Sequence, residues 1–418
     1  MNAPTGRIDS SFMHRRFFLA LALALPGLAG TAAAQAPFEP MPSGADAYFA
    51  EWLNLFQAKA VAAGLPRAVV DRQLAGLSPD PRVTALDARQ PEFARPVSAY
   101  VEGVMSPGRI AEGRTKRTSI TAFTSIEQAW GVPRDVLIAV WAMESSFGTQ
   151  QGDMDVIRCL ATLALSRRRD WADEQLIAAL RMIADGDVTR TQLRGSWAGA
   201  MGQTQILPTV YLQTAVTATG FGRPDIWGSP PDALATAAHL LATDGWRRGE
   251  GWAAEVRLPY AFDYGLSEGP SQPLAWWADK GVRLAPGVAW SQADANAPGI
   301  LLLPSGAGGP AFLALPNHFV IRSYNNSIAY ALAVGLLADR FAGGGGLATA
   351  WPRETPLSLD QRMAAQSALA RSGFDPGAAD GMIGSGTRKA LRAWQKNQGL
   401  PADGYLSPAV LQRLTSAP

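Results

Sequence analysis

Among 418 residues, 37 Lys and Arg offset 35 Asp and Glu, for a net charge of +2. That length holds two or three domains and a sizeable core, and the near balance argues against a nucleic-acid partner. One cysteine, Cys159, excludes an internal disulfide, and with only three histidines (His14, His239, His318) a His/Cys zinc site is effectively excluded as well. Thirteen Trp are many for sugar stacking, but buried Trp is commoner, so the count alone decides nothing.

The N-terminus reads as an export signal over residues 1–34. His14-Arg15-Arg16 precedes an apolar run from Phe17 to Leu25, then Pro26-Gly27, then Ala32-Ala33-Ala34 as an A-x-A cleavage site. The run is short for a membrane span, no later stretch is long enough, and no cysteine stands near the cleavage site for lipid attachment. Arg15-Arg16-Phe17-Phe18-Leu19 also resembles a twin-arginine signal, with a plain secretory signal as the rival reading. The expected location is periplasmic, exported and soluble.

Apolar spacing predicts helices over 45–63, 119–130, 133–143, 171–184 and 231–241, with Pro133 and Pro231 suited to first turns. From residue 251 to 319 helical periodicity disappears, and short apolar runs over 299–303 and 311–315 read as strands of a small β-containing insertion. A helix resumes over 327–340. Residues 343–356, rich in Gly and Pro, read as a flexible linker. Behind it, 357–415 carries two echoes, Gly377-Ala-Ala-Asp380-Gly381 and Leu400-Pro-Ala-Asp403-Gly404, each a turn signal ahead of a helix. The fold class is mainly α with α+β character: a large helical domain over 44–342 and a small three-helix C-terminal domain.

In Val140-Trp-Ala-Met-Glu144-Ser-Ser-Phe-Gly148-Thr149 a carboxylate occupies a helical face with no cation at three or four residues on either side. Leu137, Val140, Trp141 and Glu144 share a stripe, and Gly148 is a natural stop. Apolar neighbours and a helix C-terminus both disfavour ionisation. Raising the pKa by about two pH units costs roughly 2.7 kcal/mol of ionisation free energy, a cost that Gln would remove. A general acid needs to be protonated near neutral pH; a Glu that turns to solvent or meets a distant Arg is the plain alternative.

Two further stretches bear on that choice. Arg194-Gly-Ser196-Trp-Ala-Gly-Ala-Met-Gly202-Gln203-Thr-Gln205-Ile-Leu-Pro208 combines small residues, suited to close approach of a ligand, with Ser196, Gln203 and Gln205 as hydrogen-bonding groups. A tight turn between packed helices is the alternative. Arg322-Ser-Tyr324-Asn325-Asn326-Ser-Ile-Ala-Tyr330 precedes a helix, where Asn326 suits a cap and Asn325 a contact to an acetamido group or ring hydroxyl. Gly265-Leu-Ser-Glu-Gly269 matches a nucleophile elbow, but Pro270 and Pro273 follow at once; Gly343–Gly346 lacks a P-loop Lys.

In order and spacing, Glu144-Ser145-Ser-Phe-Gly148, Gly195 to Gln205, and Tyr324 to Ser327 resemble the signatures of the lytic murein transglycosylase B family. The resemblance covers about 49–341, and Gln90 to Pro96 is similar to that family's early signature. It implies a lysozyme-like fold and non-hydrolytic cleavage of the β-1,4 bond between N-acetylmuramic acid and N-acetylglucosamine, leaving a 1,6-anhydro end. It further implies Glu144 as acid then base, Ser196 and Asn325 holding the N-acetyl group, and Ser145, Gln203, Gln205 and Tyr324 as substrate contacts. No cofactor is implied. Some members carry an Asp-rich calcium loop; here only Asp225 remains in Thr217 to Trp227, so no metal is expected.

The tail resembles the small peptidoglycan-binding domain of many wall hydrolases, through Asp380-Gly381, Gly384, Thr387-Arg388, Trp394-Gln395, Gly399-Leu400 and Asp403-Gly404. The resemblance implies wall contacts by Asp380, Arg388, Trp394, Gln395 and Asp403. The expected partner is the peptidoglycan glycan strand. Two other readings stay open: a hydrolytic muramidase, with Asp153 or Asp155 aiming a water, and a catalytically silent wall-binding scaffold.

Overall fold

The computed structural model describes residues 45–88, 95–291 and 293–416. The expected export signal, and residues 90–94 of the Gln90–Pro96 stretch, lie outside them. No helix among the described residues is long and apolar enough to cross a membrane.

The expected helices form with ends shifted by a few residues, at Ala45–Ala62, Arg134–Ser145, Arg169–Ala184, Pro230–Thr243 and Ile328–Phe341. The segment expected over 119–130 differs. One helix, Pro107–Ser119, ends where Ile120 turns extended, and a second, Phe123–Trp130, closes on Gly131 at φ 72°. Pro133 precedes its helix as the N-cap, and Pro230-Pro231 fill the first turn of theirs.

Two apolar cores lie side by side. One packs Leu137, Val140 and Trp141 against Leu234, Leu241, Leu332 and Leu337. The other packs Trp52 and Phe56 against Ile157, Leu160, Leu176 and Leu180. Tyr324 touches both, so the seam between the cores runs past the motif that contains it.

The insertion is an antiparallel sheet in the order Gln272–Pro273, Pro298–Leu302, Ala311–Ala314, Ala253–Arg257, Arg283–Leu284. Both expected strands are present and pair with each other, Leu301 opposite Leu313. Inward Val256, Leu301, Leu313 and Trp277 form its core, and the Trp277 indole donates to the Gly299 carbonyl at 3.0 Å. The sheet stops earlier than expected, because Pro316–Tyr324 is helical. Buried Asn317 ties that helix down by bonding the amide and carbonyl of Arg247 and the carbonyl of Glu250.

The linker expected to be flexible is pinned. Glu255 accepts the amides of Ala348 and Thr349 at 2.7 and 2.8 Å, and Trp351 packs near Phe312. Beyond it, helices Leu359–Arg371, Ser385–Asn397 and Pro408–Ser416 enclose Ala365, Leu369, Leu391, Trp394 and Leu414. This module docks on the insertion. Arg388 and Arg392 both bind Glu268, each at 2.8 Å, and the Asp403 carboxylate accepts the Ala307 amide at 2.8 Å.

This arrangement gives the residues expected to contact the wall partners within the protein. Trp394 is 3% exposed and Gln395 2%, so both are part of the module's framework. The Gln395 amide bonds Asp403 Oδ1 and accepts from Gly404 N, both at 2.8 Å. Asp380 serves the same purpose in the other echo, accepting from Met382 N and from Gln366. Arg388 and Asp403 face the insertion. The motif builds the module's own turns and its docking, since the buried Gly381 and Gly404 amides each require a partner.

Candidate active site

Every residue from Val136 to Ser145 is buried. The helix is therefore enclosed on all sides rather than along the expected stripe, and Glu144 is the one charged residue within that run. The helix ends in three successive left-handed residues: Ser146 at φ 48°, Phe147 at 57° and Gly148 at 86°. Two of these lack glycine's freedom, at about 1–3 kcal/mol each. Ser145 and Gln203 hold the strained turn. The Ser145 hydroxyl donates to the Gln203 carbonyl at 2.5 Å and accepts the Gly148 amide at 2.9 Å. The Gln203 side chain accepts the Trp141 indole at 3.0 Å and donates to the Trp227 carbonyl at 2.9 Å. A Cβ on Gly148 would sit 2.5 Å from Gln203 Oε1. Ser145 and Gln203, 0% and 4% exposed, thus brace the turn that carries Glu144.

Glu144 itself is 4% exposed. The Tyr330 hydroxyl donates to its Oε1 at 2.5 Å, and Oε2 has no hydrogen-bond partner among the described residues. Burial pushes the carboxyl up to about 8, with the Tyr330 bond opposing. At about 1.4 kcal/mol per pH unit, ionising it in place costs on the order of 4–5 kcal/mol. The rise exceeds the expected one because no cation meets the group and burial is complete. Tyr330 and Tyr324 are raised well above the ordinary phenol range, by burial first and then by the Glu144 charge, so both are neutral donors.

The Gly195–Ile206 stretch folds on itself through bridges Gly195–Met201 and Met201–Ile206. A Cβ on Gly195 would lie 2.1 Å from the Ala200 carbonyl, and one on Gly202 2.7 Å from that of Ile226. These glycines serve the turn's own packing, which corrects their reading as room for a ligand. Ser196 closes the turn, accepting the Ala200 amide at 3.1 Å, and stays half-buried. Gln205, left-handed at φ 49°, donates to the carbonyls of Gln151 and Gly202, both at 2.8 Å. The Thr204 carbonyl accepts the Tyr324 hydroxyl, which ties this turn to the third stretch.

Tyr324 ends its helix and Asn325 follows in extended backbone. The Asn325 side-chain amide makes no hydrogen bond among the described residues, and the residue is half-buried. Ser327, rather than Asn326, caps the next helix by accepting Tyr330 N at 3.3 Å; Asn326 accepts from Arg322 at 2.7 Å. Tyr330 was missed by sequence reasoning. A serine three residues before it marks it as first-turn, but nothing local points to a carboxylate 186 residues away.

Residues 48–339 match the family described as Transglycosylase SLT domain. The chain belongs to that family. Residues 358–414 match the putative peptidoglycan binding domain. The membrane-bound lytic murein transglycosylase B of Escherichia coli (strain K12) is 30% identical over 230 residues, covering 51% of this chain and 58% of that protein. The chain thus spans less than two thirds of that curated relative. SltB3 from Pseudomonas aeruginosa, solved in complex with NAG-anhNAM-pentapeptide, is 48% identical, with a TM-score of 0.83 over 88% of this chain and 99% of that one. Escherichia coli Slt35, solved in complex with calcium, is 27% identical, with a TM-score of 0.58 over 69% and 92%.

In this family member the carboxylates of the Thr217–Trp227 region are engaged internally. Asp225 Oδ1 accepts the amides of Trp227 and Gly228 at 3.0 and 2.8 Å. Asp232 accepts those of Ala218 and Asp225 at 2.9 and 3.1 Å. Among the described residues no three or more His, Cys, Asp or Glu stand together.

Proposed function

We propose that the protein is a murein lytic transglycosylase that breaks the β-1,4 bond between N-acetylmuramic acid and N-acetylglucosamine without water, using Glu144 alone. The observation that carries this reading is the setting of Glu144: a carboxyl 4% exposed and pushed up to about 8 by burial, with one neutral phenol on Oε1 and Oε2 unengaged. Tyr330 holds Oε1 in the carbonyl role and leaves the proton on Oε2, where it can be given to a leaving oxygen. The bond from the muramoyl anomeric carbon to the glucosamine oxygen breaks as that oxygen takes the proton. Glu144, now a carboxylate in an apolar setting, is a strong base. It takes the proton of the muramoyl 6-hydroxyl as that oxygen closes on the anomeric carbon, which restores the acid and leaves a 1,6-anhydro end.

A second carboxylate is the mark of ordinary glycoside hydrolysis, about 5–9.5 Å from the first. No carboxylate contributes to the raised pKa of Glu144. Asp155, the hydrolytic alternative, caps a helix at Arg158 N and pairs with Arg190 at 2.6 Å. The substrate's N-acetyl oxygen takes the missing role in this scheme, with Ser196 and the unpaired Asn325 side-chain amide holding that group, and Gln205 and Tyr324 lining the cleft. The 357–415 module retains the enzyme on the wall, and the N-terminal signal delivers it to the periplasm. Mass analysis of digested wall tests the chemistry: the expected muramic ends are lighter by one water than reducing ends. Reducing ends in their place would remove the reading.

A further inference from the structure

Next to the catalytic seam lies a cavity of about 420 Å³ with one wall from the catalytic domain and the other from the C-terminal module. Its charged lining is Arg95, Arg322, Arg362 and Arg388 against Glu354 alone. In a chain whose overall charge is +2, that is a concentrated cationic surface. Arg322 is its most unusual member. Nη2 donates to Asn326, but Nε is buried without a partner, and no carboxylate pairs with Arg322 among the described residues. Burial and the neighbouring Arg388 charge lower its pKa. Arg388 contributes Nε to Glu268 and Nη1 to the Ile383 carbonyl, which leaves Nη2 without a partner among the described residues. Glu268, already shared by Arg388 and Arg392, is the carboxylate that acts on Arg322 from a distance; a partly buried guanidinium with no directly paired carboxylate is costly, and an anionic ligand relieves that cost through charge-assisted bonds.

The cavity also has a defined relation to the proposed chemistry. Asn326, Ser327 and Ile328 form part of its wall, and one helical turn beyond Ser327, about 5 Å along the axis, Tyr330 reaches Glu144. The remaining lining includes apolar Val97, Leu357 and Leu406. Small apolar side chains beside carboxylates describe a short acidic peptide, and about 420 Å³ is within the range of small-ligand sites.

We infer that this interdomain cavity binds the carboxylates of a short peptide attached to the glycan substrate, with Arg322 from the catalytic wall and Arg388 from the module as the anion-binding pair. The inference rests on the murein reading above. It gives the docked module a part in substrate selection: the pair forms only while Glu268 holds Arg388 in place.

Two measurements on the full chain test it. The first is calorimetric titration of the wild-type protein with a sugar-free stem tetrapeptide and with its carboxyl methyl esters. Binding in the millimolar range or tighter is expected, weakened at least tenfold by esterification. No binding, or equal binding of the ester, overturns the inference whatever the enzyme's activity. The second is kcat/KM for peptide-bearing over peptide-free glycan. Arg322→Gln is expected to lower that ratio at least tenfold, mainly through KM; an unchanged ratio overturns it. If neither glycan is turned over by the wild type, the function fails while the titration still decides the peptide site.

Discussion

Buried polar side chains are treated in opposite ways at the two ends of this chain. In the C-terminal module, Gln366 and Gln395 each close an Asp-Gly turn with the same set of bonds. Each accepts the Gly amide (Gly381, Gly404) and donates to the Asp carboxylate (Asp380, Asp403) and to the carbonyl that follows (Met382, Tyr405). Glu144 has one bond, from Tyr330, to one of its oxygens. Full pairing marks residues that specify a fold, and an under-paired buried carboxyl marks one held for chemistry. The comparison also explains why two sets of motif residues that look equally functional in sequence part company in three dimensions.

The largest effect expected from this contrast is on Glu144→Gln. Turnover of murein should fall by about a thousandfold or more, the upper part of the range for general acid–base catalysis, while stability rises. The folded pKa of Glu144, about 8, lies above its ordinary 4.5. The fold therefore favours the protonated form, and ionisation of the unfolded chain draws stability away as pH climbs from about 4.5 to about 8. Removing the titrating group lifts that penalty, by up to roughly 3 kcal/mol at pH 7. Denaturant melts of both proteins at pH 5 and 8 check the sign: the variant's advantage should be larger at pH 8. An advantage that shrinks with pH would break the contrast.

Next in size is Gln395→Ala, which orphans the Gly404 amide and removes one of the two bonds to Asp403 Oδ1. It should destabilise the module by about 2–3 kcal/mol and leave cleavage of soluble fragments as it was. Loss of cleavage with an intact module would show that Gln395 is more than framework. Smaller still, Tyr330→Phe should lower kcat about tenfold, the worth of one bond to an ionisable group. Because that bond lowers the Glu144 pKa, its removal should carry the basic limb of the pH–rate profile to higher pH. A limb that moves down would mean that Tyr330 stabilises the protonated acid instead.

Much of the fold was legible because helix spacing, Pro at helix starts and the Asp-Gly turns are local signals. The helix around Leu137, the strands at Leu301 and Leu313 and the three-helix tail all follow from them. Glu144 was legible for the same reason, as a charge without a local partner. The bracing by Ser145 and Gln203 was not legible because their partners, the Gln203 carbonyl and the Trp141 indole, are supplied only by tertiary packing. The glycines at 195 and 202 were misread because a self-contacting turn and a ligand-contacting turn require the same residue. The pinned linker was hidden because Glu255, which holds it, stands in a strand about 90 residues earlier.

The central claim is that Glu144 begins the reaction protonated because its surroundings forbid its charge. Infrared or carbon-13 titration of that one carboxyl in the intact protein, assigned by difference against Glu144→Gln, measures it directly. The account predicts a midpoint about 8, matched by the basic limb of activity. A midpoint near the ordinary 4.5 would contradict it, because the group would then be ionised where it is asked to act as an acid.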